Sequence, residues 1–157
     1  MRMFEVAGSA TLSGNRLIRG LIKLVDDLDL DRRDFVIFGS GPLLAHGLRS
    51  HVSDLDIVAR GAAWHRALAS GEGCLATGAI NGAPMVTFCE GEIQFSSGWI
   101  TEAWDPDDLI DRAETVEGLP FAPLADVLEY KQILRRPKDL PDIKALLDVL
   151  NQPAGPN

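Results

Sequence analysis

The sequence predicts an α/β fold, in which a small mixed β-sheet is flanked by helices and followed by a C-terminal helical hairpin. Three observations support this fold class. A helical period of apolar residues spans 12–28, and short apolar runs rich in strand formers follow at 35–38 and 55–59. Two further helical segments, 124–135 and 139–150, are separated by Arg136-Pro137-Lys138. Alternating strands and helices are typical of an α/β domain.

Length and composition favour one folded domain. The chain has 157 residues, of which 46% are apolar and 24% are charged, as in ordinary globular proteins. We therefore expect a single domain over 1–150 and a flexible tail over 151–157, where proline and polar residues are frequent. No apolar run reaches the roughly 20 residues that span a bilayer, and the first residues lack the apolar stretch of a signal peptide. These features predict a cytoplasmic protein.

Charge and cysteine content exclude several other classes. The net charge of −8 argues against a broad electrostatic hold on nucleic acid, although a local basic patch remains open. Cys74 and Cys89 show neither the spacing of a zinc site nor that of a disulfide framework. We expect both to be reduced, packed thiols.

The first half of the chain divides into alternating elements. Helix 12–28 has Ser13 as its predicted N-cap, and strand 35–38 ends at Gly39-Ser40-Gly41. Pro42 suits the first turn of a helix that continues to residue 48. Strand 55–59 and a helix over 62–70 follow.

The second half begins with a predicted hairpin and ends with helices. Strands 85–89 and 92–95 flank Glu90-Gly91, a turn dipeptide, and 74–77 is a candidate third strand. A short helix is predicted over 103–113. Segment 114–121 is extended and is broken by Gly118 and Pro120, so it is predicted to be a connection.

Chemistry is concentrated between residues 35 and 59. Backbone N–H groups of Gly39-Ser40-Gly41, at the start of a helix, favour the binding of a triphosphate, and Ser40 adds a hydroxyl donor. Asp54 and Asp56 lie on one face of a strand because strand side chains alternate. Two adjacent carboxylates repel each other unless a cation joins them, and Mg²⁺ or Mn²⁺ suits such oxygens.

This pattern carries a resemblance to a known superfamily. An apolar strand, Gly39-Ser40, thirteen intervening residues and then Asp54-Leu55-Asp56 resemble the signature of the nucleotidyltransferases related to DNA polymerase β. The resemblance implies a nucleotidyltransferase-like fold, bound Mg²⁺ and a nucleoside triphosphate substrate. By chance alone, the two aspartates could instead be turn or strand-end residues.

The C-terminal helices are similar to those of AbiEii-type and minimal nucleotidyltransferases. Lys131 is followed by Arg136-Pro137-Lys138-Asp139 and then Asp142, as in the lysine and Arg-Lys-Asp-x-x-Asp pattern of that type. The resemblance implies that Lys131 reaches the triphosphate, while Asp139 and Asp142 orient basic residues or line the site. The alternative is a set of surface salt bridges between two packed helices.

One position departs from the superfamily pattern. Active members often carry a third acidic residue on a later strand, where this sequence has Ile93-Gln94-Phe95. Gln94 can form hydrogen bonds but cannot act as a base. Three alternatives stay open: the two aspartates suffice, Glu92 serves as the base, or catalysis has been lost while nucleotide binding remains.

The predicted activity is transfer of a nucleoside monophosphate from NTP to an acceptor hydroxyl, on a tRNA end or on a small molecule. The AbiEii resemblance implies a toxin of a toxin–antitoxin pair, with an antitoxin or a second copy completing the cleft. The rival is a catalytically degenerate module that binds a nucleotide or a protein.

Trp99 and Trp104 either pack in the core or stack on a base. The predicted site consists of catalytic Asp54, Asp56 and Lys131, of which Asp54 and Asp56 bind metal, and of nucleotide-binding Gly39, Ser40, Ser53, Gln94, Lys138 and Asp139.

Overall fold

The computed structural model describes residues 12–70, 74–77, 84–99 and 104–151. It confirms a mixed α/β fold with a C-terminal helical hairpin, and the predicted tail beyond residue 151 lies outside the described residues. None of the described helices is long and apolar enough to cross a membrane. The helices are α1 Arg16–Leu28, α2 Gly41–Ala45, α3 Gly61–Ala69, α4 Pro106–Asp111, α5 Leu124–Leu134 and α6 Leu140–Leu150. The strands are β1 Phe35–Phe38, β2 Leu55–Ala59, β3 Cys74–Thr77, β4 Pro84–Phe88, β5 Ile93–Ser96, β6 Glu114–Val116 and β7 Leu119–Phe121.

The described strands form one mixed sheet in the order β3-β4-β5-β2-β1-β7-β6. Strand β1 pairs antiparallel with β2 and parallel with β7, and β2 pairs parallel with β5. The hairpin of β4 and β5 has Phe88 opposite Ile93, with β3 added antiparallel to its outer edge. Both the hairpin and the third strand at 74–77 confirm the predictions.

The two faces of the sheet carry separate apolar clusters. Phe35 and Ile37 of β1 pack with α1 and α3 on one face, and Val36 and Phe38 pack with α4, α5 and α6 on the other. All four side chains are fully buried, as a central strand covered on both faces requires.

The same alternation sets the position of the candidate site. Leu55 and Ile57 of β2 join the cluster beneath α1, whereas Val58 joins the cluster beneath α5. Asp56 therefore lies on the face covered by α5, opposite Phe38 in the β1–β2 ladder. The fold thus directs one predicted catalytic carboxylate towards the C-terminal helical hairpin.

The prediction that 114–121 is only a connection is wrong. It forms the β6–β7 hairpin, whose turn residues Glu117 and Gly118 both have positive φ. Leu119 and Phe121 are buried, and the N–H group of Ala122 donates to the carbonyl of Ile37 at 2.9 Å. Burial against β1 stabilises this short hairpin, and such a distant pairing leaves no local signal in the sequence.

Several boundaries also differ from the predictions. Asn15, not Ser13, caps α1, since its Oδ1 accepts hydrogen bonds from the N–H groups of Leu17 and Ile18 at 2.9 and 3.1 Å. Helix α2 ends at residue 45 rather than 48, and α4 is confined to 106–111, capped by Asp105. Cys89 is exposed in the β4–β5 turn, so the expectation that it packs is wrong.

The N-cap gives a prediction of modest size. Asn15→Ala is expected to lower the free energy of unfolding by about 1 kcal/mol, because two N–H groups of the first turn lose their acceptor. Asn15→Ser keeps a capping oxygen and is the matched control, expected to stay close to wild type. Urea unfolding would show the loss as a lower midpoint at unchanged slope, and equal midpoints for both variants would contradict the assignment of the cap.

Candidate functional site

The Gly39-Ser40 turn lies directly against the carboxylate of Asp56. Gly39 has φ of +65°, in the left-handed region, and a Cβ atom at this position would overlap the Asp56 Oδ2 atom. Only glycine meets both the backbone and the space requirement. The turn and the carboxylate therefore lie side by side.

The helix that follows this turn is too short to act as predicted. Helix α2 has five residues, and the side chain of Ser40 forms no capping hydrogen bond. The expected contribution of a helix dipole to phosphate binding is therefore not supported, since five residues align few peptide dipoles. The positive charge at the turn comes instead from two side chains, those of Lys131 and Arg49.

Asp56 is partly buried, and Asp54 immediately precedes β2 beside it. Burial and, next in size, the negative charge of Asp54 raise the pKa of the Asp56 carboxyl to about 7, although Lys131, Lys138 and Arg136 act in the opposite direction. The two aspartates thus interact electrostatically, as the sequence pattern predicted. Among the described residues, no group of three or more His, Cys, Asp or Glu side chains could hold a metal ion.

Gln94 occupies the position beside Asp56 on the neighbouring strand. The two residues are direct partners in the parallel β2–β5 ladder, and the Gln94 Nε2 atom donates to the carbonyl of Gly91 at 3.1 Å. Parallel partners present their side chains on the same face. The Gln94 amide therefore lies beside Asp56, at the position where a third acidic residue would adjoin Asp54 and Asp56.

Glu92 is poorly placed to replace that missing carboxylate. It precedes β5, and both of its carboxylate oxygens accept hydrogen bonds from Arg16 of α1, at 2.8 and 3.0 Å. This hydrogen-bonded ion pair lowers the pKa of Glu92. A carboxylate held by an arginine is a weaker base, so the structure disfavours this one of the three alternatives.

Lys131 is the most deeply buried cation among the described residues. Its side chain is 2% exposed, and its Nζ atom lies 3.2 Å from Ser40 Oγ, 3.2 Å from Asp142 Oδ2 and 3.5 Å from Asp139 Oδ1. The alternative of a surface salt bridge is therefore wrong for Lys131, Asp139 and Asp142, all of which are buried. The helical hairpin brings this ammonium group to the Gly39-Ser40 turn.

Asp139 organises the connection between α5 and α6. Arg136 donates to its two carboxylate oxygens at 2.7 and 3.1 Å, and the Arg136 N–H group adds a third hydrogen bond at 3.0 Å. Burial alone would raise the pKa of Asp139, but the hydrogen bonds from Arg136 and the charge of Lys131 hold that pKa below its ordinary value. Asp139 thus pairs with Arg136 and lies 3.5 Å from the Lys131 ammonium, while its role towards a nucleotide stays a prediction.

Arg49, in the loop between α2 and β2, lies beside Ser40 and Asp142. Its Nη1 atom lies 3.2 Å from Ser40 Oγ and 3.5 Å from Asp142 Oδ2. Its place in the sequence could have indicated this contact, because the side chain of a cation in the loop between the Gly39-Ser40 turn and Asp54 can reach either end of that loop. We call these four residues the Ser40 cluster: Ser40, Arg49, Lys131 and Asp142.

The remaining predicted residues are more loosely connected to the site. Ser53 is exposed and forms no side-chain hydrogen bond with another described residue, and Lys138 is exposed but lowers the pKa of Asp56 through its charge. Trp99 and Trp104 pack on Phe38, with ring centroids 4.8 and 6.3 Å away. These contacts support packing rather than base stacking for the two tryptophans.

Two solved structures share this fold. TM1012 from Thermotoga maritima, a candidate nucleotidyltransferase, aligns with a TM-score of 0.54 and 17% identity over 84% of this chain and 92% of its own. JHP933 from Helicobacter pylori aligns with a TM-score of 0.50 and 17% identity over 85% of this chain and 64% of its own. This chain therefore matches just under two thirds of JHP933. No family model matches the sequence, and neither does any curated protein.

The chain therefore shares the fold of TM1012 and JHP933. Identities of 17% establish the fold alone, and they provide no support for the AbiEii type in particular.

Proposed function

We propose that this protein is a nucleotidyltransferase, which moves a nucleoside monophosphate from a nucleoside triphosphate to an acceptor hydroxyl and releases pyrophosphate. One observation carries the proposal: the Gly39-Ser40 turn abuts the Asp56 carboxylate, while the Lys131 Nζ atom lies 3.2 Å from Ser40 Oγ. Phosphate-binding groups and paired carboxylates thus meet on one surface. Phosphoryl and nucleotidyl transfer depend chiefly on such positioning and electrostatics.

The residues present fit a divalent cation. Asp54 and Asp56 would hold Mg²⁺ or Mn²⁺, because the charge of Asp54 helps to raise the pKa of Asp56 and a divalent cation between the two carboxylates would relieve their repulsion. The Asp56 Oδ2 atom lies where a Cβ atom of residue 39 would be, so the carboxylate reaches the backbone of the turn. When bound, the metal supplies neutralisation of phosphate charge and a lower pKa for the acceptor hydroxyl.

The protein's own residues have separate proposed roles. Gly39 and Ser40 cradle the β- and γ-phosphates, and Lys131 supplies the positive charge that their oxygens require. Lys138 is exposed and its charge lowers the pKa of Asp56, so it offers a second cation near the two aspartates. Asp139 holds the connection that carries these cations, whereas Ser53 and Gln94 offer hydrogen bonds to the nucleotide.

The acceptor is proposed to carry a hydroxyl group, on a tRNA end or on a small molecule. Gln94 cannot take the proton of that hydroxyl, so Asp54 or Asp56 is the proposed proton acceptor. A toxin role, with an antitoxin or a second copy of this chain completing the cleft, stays a proposal that rests on the AbiEii resemblance. A cytoplasmic location is proposed with it.

A second function is favoured by a specific observation. Gln94 is the direct strand partner of Asp56, and no further carboxylate among the described residues joins the pair to form a metal-binding group. The alternative is therefore a module that binds a nucleotide or a protein without catalysis. Release of pyrophosphate separates the two functions.

The test is calorimetric titration with each of the four NTPs in the presence of Mg²⁺, followed by a search for pyrophosphate release with RNA and small hydroxylated acceptors. Wild type is expected to bind at least one NTP, and Asp54→Ala/Asp56→Ala is expected to lose this binding by about a hundredfold or more. The matched control Asp26→Ala/Asp27→Ala removes two exposed aspartates of α1, on the opposite face of the sheet. Absence of NTP binding by folded wild type would refute the proposal.

A further inference from the structure

Two cations meet at one neutral oxygen in the Ser40 cluster. The Nη1 atom of Arg49 and the Nζ atom of Lys131 each lie 3.2 Å from Ser40 Oγ. A serine hydroxyl has two acceptor lone pairs and one O–H donor. Since both lone pairs accept from cations, the O–H group of Ser40 is free to donate to a third partner.

Arg49 and Lys131 also share one carboxylate, that of Asp142. Asp142 Oδ2 lies 3.2 Å from Lys131 Nζ and 3.5 Å from Arg49 Nη1. The other nearby carboxylate, Asp139, is held mainly by Arg136, at 2.7 Å, and lies 3.5 Å from Lys131. Three cations, Arg49, Lys131 and Arg136, therefore contact these two carboxylates, and the Asp56 carboxyl group lies beside Gly39 of the same turn.

Arg49 is held in place by the backbone that precedes it. The N–H groups of Leu48 and Arg49 both donate to the carbonyl of Leu43, at 2.8 and 3.3 Å, and the N–H group of Leu43 donates to the carbonyl of Ser40 at 3.1 Å. The loop is thus tied to the turn whose hydroxyl the arginine contacts. Preorganisation of this kind reduces the entropy lost when a ligand binds.

The two cations differ in access to solvent. The side chain of Lys131 is 2% exposed, whereas that of Arg49 is 41% exposed. A ligand arriving from solvent therefore meets the guanidinium group of Arg49 first. A planar guanidinium with several donors suits an anion that has several oxygens.

We infer that Arg49, Ser40 and Lys131 form an anion site that binds the terminal phosphates of a polyphosphate without a metal ion, with Arg49 as its solvent-facing clamp. In the proposed nucleotidyltransferase, on which the identity of this ligand as an NTP rests, the site receives the β- and γ-phosphates. Arg49 is then a substrate-binding residue that lies outside the Gly-Ser and Asp-x-Asp pattern.

The experiment is calorimetric titration with inorganic tripolyphosphate in EDTA, so that no divalent cation contributes. Wild type is expected to bind saturably, and Arg49→Gln is expected to weaken binding by about tenfold or more, through loss of a charge-assisted contact. Arg49→Lys keeps the charge but not the fork of donors, and it is expected to bind with intermediate affinity. The matched control is Arg112→Gln, because Arg112 is also an exposed arginine paired with an aspartate, Asp126.

One further variant keeps this inference separate from the proposed function. Asp54→Ala/Asp56→Ala is expected to retain tripolyphosphate binding in EDTA, because it removes two negative charges and no member of the anion site. If this variant and wild type bind tripolyphosphate alike while neither binds Mg²⁺–NTP, the proposed function fails and the anion site stands. Absence of saturable tripolyphosphate binding by folded wild type, or equal affinity of wild type and Arg49→Gln, would overturn the inference.

Discussion

Replacement of Lys131 by methionine is expected to lower the free energy of unfolding by about 3 kcal/mol, a large effect for one side chain. The ammonium group is buried and lies within 3.5 Å of both Asp139 and Asp142. Without it, two buried carboxylates lose a shared partner, and such unpaired charges are costly. Methionine fills a similar volume, so loss of packing contributes little.

The remaining arginines limit this loss. Arg136 still pairs with Asp139 at 2.7 Å, whereas Asp142 keeps only the 3.5 Å contact with Arg49 among the described residues. Asp142 therefore bears most of the cost, and Lys131→Met/Asp142→Asn is expected to recover part of the lost stability. This double variant tests whether charge rather than shape causes the effect.

Urea unfolding of the wild type, the single variant and the double variant measures these differences. Lys144→Met is the matched control, since Lys144 is an exposed lysine of α6 with no ion pair among the described residues. Its free energy of unfolding is expected to stay within about 0.5 kcal/mol of wild type. A loss below about 1 kcal/mol for Lys131→Met would show that the buried network contributes little to folding, and its role would then be confined to ligand binding.

Asp56→Asn is expected to make the protein more stable at pH 8 in the absence of divalent cations. Burial and the charge of Asp54 raise the pKa of Asp56 to about 7, from an ordinary value of 3.8. The folded state thus holds a proton more tightly than the unfolded state does. At pH 8 the carboxylate must ionise in an unfavourable environment, which asparagine avoids.

The dependence on pH has a definite sign. Below pH 3.8 Asp56 is protonated in both states and imposes no cost. Between about pH 4 and 7 the unfolded chain releases its proton first, so the contribution of Asp56 to stability falls as pH rises. Above the folded pKa the full difference applies, up to about 4 kcal/mol from the two pKa values. The stabilisation by asparagine should therefore be absent near pH 3.5 and fully developed by pH 8.

Thermal unfolding of wild type and Asp56→Asn between pH 4 and 8 in EDTA measures this difference. Asp54→Asn is a useful companion, because it removes only the charge that adds to the effect of burial, and a smaller stabilisation is expected. Addition of Mg²⁺ at pH 8 should stabilise wild type, by about 1.4 kcal/mol for each tenfold excess over the dissociation constant, but not Asp56→Asn. Equal stability of the two proteins at pH 8 in EDTA would refute the raised pKa.

Functional sites often lower the stability of the free protein, and a buried carboxylate with a raised pKa does so above that pKa. If the proposed metal site exists, the same two aspartates that repel each other in the free chain supply its ligands. The proposed metal site would thus give this unfavourable electrostatic feature a function, and the experiments with Mg²⁺ and with EDTA test both the site and the feature.

The sequence by itself determined the fold class, since apolar runs and helical periods are local properties that follow from the residues in each segment. Strands β1 and β2 were predicted with their observed bounds, and the pattern of Asp54 and Asp56 followed from strand alternation. The Gly39-Ser40 turn was equally local, because the end of a strand and the start of a helix are marked by glycine and proline. The catalytic and binding roles of these residues stay predictions.

Only the tertiary structure decided which distant residues meet. The β6–β7 hairpin was missed because its stability comes from burial against β1. Glu92 stayed open as a base because Arg16, which donates to its carboxylate, lies 76 positions away along the chain. The proposed role of Arg49 depends on Lys131, 91 positions from Ser40, which contacts the same hydroxyl. Long-range contacts of this kind depend on how helices pack across the sheet, and no local pattern in the sequence encodes them.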